Sequence, residues 1–258
     1  MDTLRVEISE NIATITIARE TKLNALNATV FNELETVMSE VSRDETVRVI
    51  IITGAGQKSF VAGADISQFP SMSPADALAF SRRGQAVLSL IETSSKPVLA
   101  AINGFALGGG CELALACHLR FAVENAMFGQ PEVKLGVIAG FGGTQRLPRL
   151  IGKGRALDLL LSGRMVNAEE ALQMGLINRI YSANELMTQV RNYASILIEQ
   201  GALAQAHTLH AVTEGIEGTL TLGMEVEAEA FRDVFETEDR VEGTTAFLKR
   251  RSPEFKNR

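Results

Sequence analysis

Apolar and polar residues alternate from Leu4 to Ile8 and again from Ile12 to Ile17, with Glu10-Asn11 between the two runs. Period-two alternation on both sides of a short turn predicts an antiparallel hairpin. The period then changes. From Ala28 to Ser42, Val30, Phe31, Leu34, Val37, Met38 and Val41 recur at helical intervals, which predicts a helix with one buried face. Val47 to Thr53, rich in β-branched residues, has the pattern of a strand covered on both sides, and it stops at Gly54-Ala55-Gly56.

This succession repeats. A long helix is predicted from Pro74 to Glu92, with proline in the first turn, where its missing N–H costs nothing. Pro97 to Ile102 reads as a second buried strand. Gly108-Gly109-Gly110 opens a helix over Cys111 to Cys117, and Leu119 to Val123 is a third strand. Strand, loop and helix in this order indicate α/β layering. Beyond Arg155 the chain is almost all helix (Ala168 to Met174, Asn184 to Glu199, Leu220 to Glu236, Asp239 to Lys249), with Ile177 to Tyr181 as a last strand. No segment reads as a linker. The expected organisation is a sheet-rich core over 1–200 and a helical region over 201–258, packed on the core or on a neighbouring subunit.

Composition narrows the partners. Of 258 residues, 46% are hydrophobic and 22% charged, as in folded domains. The 25 Lys and Arg against 31 Asp and Glu leave a charge of −6, which disfavours a nucleic-acid partner. Cys111 and Cys117, six apart on one predicted helix, point to different sides and read as buried thiols of a reducing compartment. The first residues carry no basic segment followed by an apolar run, and no apolar run is long enough to span a bilayer. A cytoplasmic protein without a membrane partner is expected.

The candidate chemistry lies in two glycine-rich segments and two carboxylates. Phe60 to Ile66 (FVAGADI) follows the Val47 to Thr53 strand, and Asn103 to Glu112 (NGFALGGGCE) opens a helix. Glycines there permit close helix–strand packing. They also permit two loops to offer one free N–H each to a carbonyl oxygen that is gaining charge. No Lys-Ser or Lys-Thr follows Gly110, which excludes a phosphate loop, and the spacing does not fit a dinucleotide fingerprint. Glu112 and Glu132, 20 residues apart, both sit among apolar neighbours. Each fits a first-turn helix charge, and together they fit a desolvated pair in which one ionises and the other keeps its proton. Gly140 to Pro148 reads as a loop entering a helix. His207 and His210 sit three apart on a predicted helix without a Glu or Cys ligand pattern, so no metal site is expected. No Ser-His-Asp signature is evident.

These residues resemble the crotonase (enoyl-CoA hydratase/isomerase) superfamily, most closely its bacterial short-chain enoyl-CoA hydratases. The matching text is Leu23-Asn24-Ala25-Leu26, Ala62 to Ile66, Lys96-Pro97-Val98, Asn103-Gly104, Ala106 to Leu113, Phe128 to Glu132 and Gly142 to Leu147. The resemblance covers about residues 4 to 256. It implies an α/β spiral of ββα units with a C-terminal helical trimerisation region, in a trimer or dimer of trimers. It implies hydration of a trans-2-enoyl-CoA, with Glu112 activating water, Glu132 delivering a proton to C2, and the N–H groups of Ala64 and Gly109 as the oxyanion hole. It assigns Lys22, Ala62, Ala64, Asp65, Ile66, Ser67, Phe247 and Arg250 to coenzyme A binding, and Ala139, Gly140 and Phe141 to the acyl pocket. No cofactor is implied, coenzyme A being part of the substrate. Arg19-Glu20-Thr21-Lys22 departs from the family pattern, as do Ala139 where proline is common, Phe141 where a small residue is common, and His118 where aspartate is common. His118 is expected to be structural. A Δ3-Δ2-enoyl-CoA isomerase is the alternative within the family, and an RNA-binding member of the same fold is the alternative outside catalysis.

Overall fold

The N-terminal hairpin forms where alternation placed it. In the computed structural model, which describes residues 1–258 apart from the side chain of Gln68, β1 (Leu4–Ser9) pairs antiparallel with β2 (Ile12–Ile17). Helix α1 (Ala28–Arg43) follows. The Asn27 side chain accepts from the N–H of Val30 at its start, and the face carrying Phe31, Leu34 and Met38 is buried. Each such side chain contributes roughly 1.5–3 kcal/mol by leaving water.

Three strand–strand–helix turns come next. The first is β3 (Val49–Gly54), β4 (Ser59–Val61) and α2 (Pro74–Glu92). The second is β5 (Val98–Ile102), β6 (Phe105–Leu107) and α3 (Gly109–Ala116). The third is β7 (Leu119–Val123), β8 (Met127–Gly129) and, after a short 3-10 turn at Pro131–Leu135, α4 (Gly143–Ile151). Within each turn the two strands enter different sheets. One sheet has the order β1-β2-β3-β5-β7-β10 and is parallel from β2 onward. The other has the order β4-β6-β8-β9, with its first three strands parallel.

The chain continues through α5 (Lys153–Ser162), β9 (Met165–Asn167), α6 (Ala168–Gln173), β10 (Arg179–Tyr181) and α7 (Leu186–Ile198). Three helices end it: α8 (Ala202–Gly215), α9 (Leu220–Val234) and α10 (Glu238–Leu248). The core lies between the larger sheet and its covering helices; β3 and β5 are buried along their whole length. Cys111 and Cys117 are buried and free. Among the described residues, no helix is long and apolar enough to cross a membrane, and no group of three or more His, Cys, Asp or Glu side chains is placed to hold a metal.

Two polar residues follow α3, Arg120 buried and His118 partly so. His118 accepts from the N–H of Val98 through Nδ1, so Nε2 carries the proton toward the carbonyl of Glu92, 3.0 Å away. Arg120 gives its guanidinium to main-chain carbonyls: Nε donates to Leu176 at 2.8 Å, and Nη1 to Cys117 at 2.5 Å and Ala114 at 3.5 Å. A cation there meets the carbonyl end of the helix.

Candidate active site

The strands β4, β6 and β8 are parallel neighbours, so the loops leaving their carboxyl ends converge. The loop after β4 holds Ala62 to Ile66. That after β6 is the single residue Gly108, followed at once by α3. That after β8 leads to Glu132. Leu107 and Gly129 are partners in register, and Gly108 donates its N–H to the carbonyl of Gly129 at 2.9 Å. Glu112, five residues past one strand end, and Glu132, three past the next, therefore emerge on the same side of one sheet.

Gly108 has φ of +51°, and a Cβ on it would lie 2.8 Å from Oε1 of Glu132. The glycine thus serves both the turn and the carboxylate. Gly110 serves packing: a Cβ there would overlap the carbonyl oxygen of Val61, so α3 can approach β4 only without one.

Glu112 is buried in the first turn of α3. Its Oε1 accepts from the N–H groups of Phe141 and Gly143, each at 2.7 Å, and no protein group bonds Oε2 among the described residues. Burial, together with the charge of Glu132, pushes its pKa up to about 7, against the two N–H donors. Glu132 is half-buried at the start of the 3-10 turn, and burial raises its pKa as well. The amide of Gln130, oriented with its nitrogen toward Glu132, donates to both carboxylate oxygens at 3.1 and 3.2 Å. Two carboxylates with raised pKa values in mutual electrostatic contact can hold one proton between them near neutral pH.

Both line one cavity of about 660 Å³. Its walls are largely apolar, with Phe69, Met72, Phe80, Leu135, Val137 and Ile138 among them. Ala64 and Gly109 line it too, and neither N–H has an acceptor among the described residues. The flanking groups of Ala64 are engaged: Gly63 accepts from Leu26, and Asp65 donates to Leu26. A pair of free donors, two carboxylates and an apolar chamber suit a carbonyl compound that gains negative charge on oxygen while a proton moves at carbon.

Sequence comparison agrees in scope. The family described as enoyl-CoA hydratase/isomerase matches residues 7–258. The chain belongs to the enoyl-CoA hydratase/isomerase family. Among its relatives, the crotonyl-CoA hydratase of Syntrophomonas wolfei is 46% identical over 250 residues, covering 97% of this chain and 96% of that one. The short-chain-enoyl-CoA hydratase of Clostridium acetobutylicum is 43% identical over 254 residues, covering 98% and 97%. The crystal structure of an enoyl-CoA hydratase from Bacillus anthracis superposes with a TM-score of 0.95 at 36% identity, covering 99% of this chain and all of that one.

In this hydratase/isomerase chain the residues expected at the site divide into two groups. Glu112, Glu132, Ala62, Ala64, Ile66, Gly109, Ala139, Gly140 and Phe141 line the cavity. Lys22, Asp65, Ser67, Phe247 and Arg250 do not. Lys22 is exposed on a 3-10 turn. Asp65 accepts from the Ser67 side chain, from Arg19 at 3.1 Å and from the N–H of Ser67 at 3.4 Å, which holds its pKa below the usual range. Phe247 is 82% exposed, and Arg250, also exposed, donates its N–H to the carbonyl of Phe247 at 3.1 Å. The sequence marks 140–148 as a helix entry and, by resemblance, places Gly140 and Phe141 at the acyl pocket; what it does not show is that this loop also binds Glu112. Its contribution is made by main-chain N–H groups, which no side chain announces; the glycines at 142 and 143 were the available signal. Gly142 has φ of +108°, and a Cβ on Gly143 would lie 3.0 Å from Oε1 of Glu112.

Proposed function

We propose that the chain is an enoyl-CoA hydratase, adding water reversibly across the C2=C3 bond of a trans-2-enoyl-CoA to give a 3-hydroxyacyl-CoA. The observation that carries this reading is the pair of desolvated carboxylates facing one apolar cavity beside two unengaged main-chain N–H groups. The thioester oxygen accepts from Ala64 and Gly109 as it becomes enolate-like. Glu112, with Oε1 occupied by Phe141 and Gly143, uses Oε2 to orient water and take its proton as oxygen bonds C3. Glu132 gives its proton to C2, and proton exchange between the two acids restores the start. Dehydration uses the same groups in reverse.

The relatives' printed activities support a short acyl chain. Phe247 and Arg250, exposed and outside the lining of their own cavity, reach the coenzyme A nucleotide of a neighbouring subunit in a trimer or dimer of trimers, while Lys22, Asp65 and Ser67 border the coenzyme on the near side. The enzyme acts in the cytoplasm, without a further cofactor, in short-chain acyl-CoA metabolism such as β-oxidation.

The test is Glu132→Gln assayed with crotonyl-CoA. Loss of general acid catalysis lowers kcat about 10²–10⁴-fold while acyl-CoA still binds. Near-normal turnover removes the mechanism. Faster turnover of a 3-enoyl-CoA than of a 2-enoyl-CoA by the unaltered chain would replace hydration with double-bond migration.

A further inference from the structure

The donors on Glu112 come from a loop that is itself tied down. Gly140 accepts from Ser81 Oγ at 2.6 Å and Gln85 Nε2 at 3.0 Å, both on α2. One peptide later, the carbonyl of Phe141 accepts from Nη1 of Arg146 at 2.8 Å. The same guanidinium reaches α2 through Glu92 Oε2, from Nε at 2.9 Å and Nη2 at 2.7 Å, with Ser89 Oγ at 3.3 Å. Arg146 is mostly buried, at 13% side-chain exposure, and Glu92 partly so. Gly142 must be glycine for this arrangement, since a Cβ there would overlap Nη1 of Arg146.

The peptide groups around Phe141 and Gly142 thus alternate in direction. The N–H of Phe141 and that of Gly143 point at Glu112, and the carbonyl between them points at Arg146. Rotating the Gly140–Phe141 peptide would break bonds to α2 and to Glu112, and rotating the Phe141–Gly142 peptide would break the bond to Arg146. We propose that Arg146, anchored by Glu92, is a positioning residue that fixes the Phe141–Gly143 main chain, and through it holds Oε1 of Glu112 so that only Oε2 is offered to water. This rests on the hydratase reading for its catalytic consequence, not for its geometry. The charged and titratable groups facing Glu112 are Glu132 from the turn after β8 and Arg146 from α4, with neutral Cys111 beside it on α3; the Arg146 charge lowers the Glu112 pKa.

The experiment compares Arg146→Met, Arg146→Lys and Glu92→Gln in the full chain. With crotonyl-CoA, Arg146→Met lowers kcat roughly 10²-fold, as expected for a misplaced catalytic group, with KM within about threefold. Its acid limb moves to higher pH, because a cation is lost near the base. Arg146→Lys keeps the charge without the fork, so kcat falls while the limb stays. Glu92→Gln, which frees the fork but keeps its bond to Phe141, falls between. In a Glu112→Gln background, Arg146→Met costs nothing further. A carbon-13 titration of the Glu112 carboxylate, without substrate, rises in Arg146→Met and is unmoved in Arg146→Lys. Should Arg146→Met fail to fold, Glu92→Gln and Arg146→Lys carry the comparison. Unaltered kcat in these two, or an equal loss in the Glu112→Gln background, overturns the proposal. An unaltered chain that fails to hydrate crotonyl-CoA, yet shows the Glu112 titration shift, sinks the hydratase reading and leaves this one standing.

Discussion

Burial and two N–H donors act on Glu112 in opposite senses, and burial prevails. The consequence reaches stability. The carboxyl titrates near its ordinary 4.5 in the unfolded chain and at about 7 in the folded one. Below pH 4.5 it is neutral in both states and costs nothing. As the pH rises through 7 it is charged in both, and the folded state alone bears the desolvation, on the order of 3 kcal/mol. Urea unfolding of the unaltered chain and Glu112→Gln at pH 4.5 and 8 measures this. The variant gains relative stability at the higher pH, and a difference independent of pH would mean that the side chain is solvated. A well-hydrogen-bonded acid thus weakens the fold that holds it.

Element boundaries depend on local chemistry that can be checked singly. Asn27 caps α1 from its side chain, so Asn27→Ala lowers unfolding free energy by about 1 kcal/mol. Hydration of crotonyl-CoA by the folded variant is unaffected, because α1 packs on the core and lines no part of the cavity. The same local signals explain what could be read from the sequence. Helix α2 was legible because Pro74 opens it, and the structure adds a capping box between Ser73 and Asp76 that fixes its start. The hairpin and strands β3, β5 and β7 were legible because five or six residues suffice to show alternation or a buried run, and β10, only three residues long, falls within the Ile177 to Tyr181 stretch. The smaller sheet was not, since β4, β6, β8 and β9 have three residues each and three of them lie in glycine-rich text. Helix α8 buries no residue and shows no apolar stripe, so only its histidine spacing hinted at it. The two glutamates were visible as charges in apolar text. Their encounter depended on β6 and β8 being neighbours, a fact of topology that no local window contains.

At the scale of the whole molecule, the last three helices bury little against their own chain. Helix α9 buries only Ala230, and Leu220, Phe231, Phe247 and Leu248 are exposed. Large apolar side chains left exposed on these helices point to an interaction face. Light scattering at micromolar concentration is expected to give three or six times the chain mass, and a monomer would remove the proposed contribution of Phe247 and Arg250 across subunits.

Helix α3 is eight residues long, about 12 Å, with Gly109 at one pole and Arg120 at the other. The guanidinium has no carboxylate partner among the described residues and is closed off from water. Its field therefore adds to that of the helix in favouring negative charge at Gly109, and dissolved ions do not screen it as they screen surface charges. Ionic strength should consequently weaken capture of the polyanionic coenzyme, raising KM, while kcat holds nearly constant across the same range of added potassium chloride.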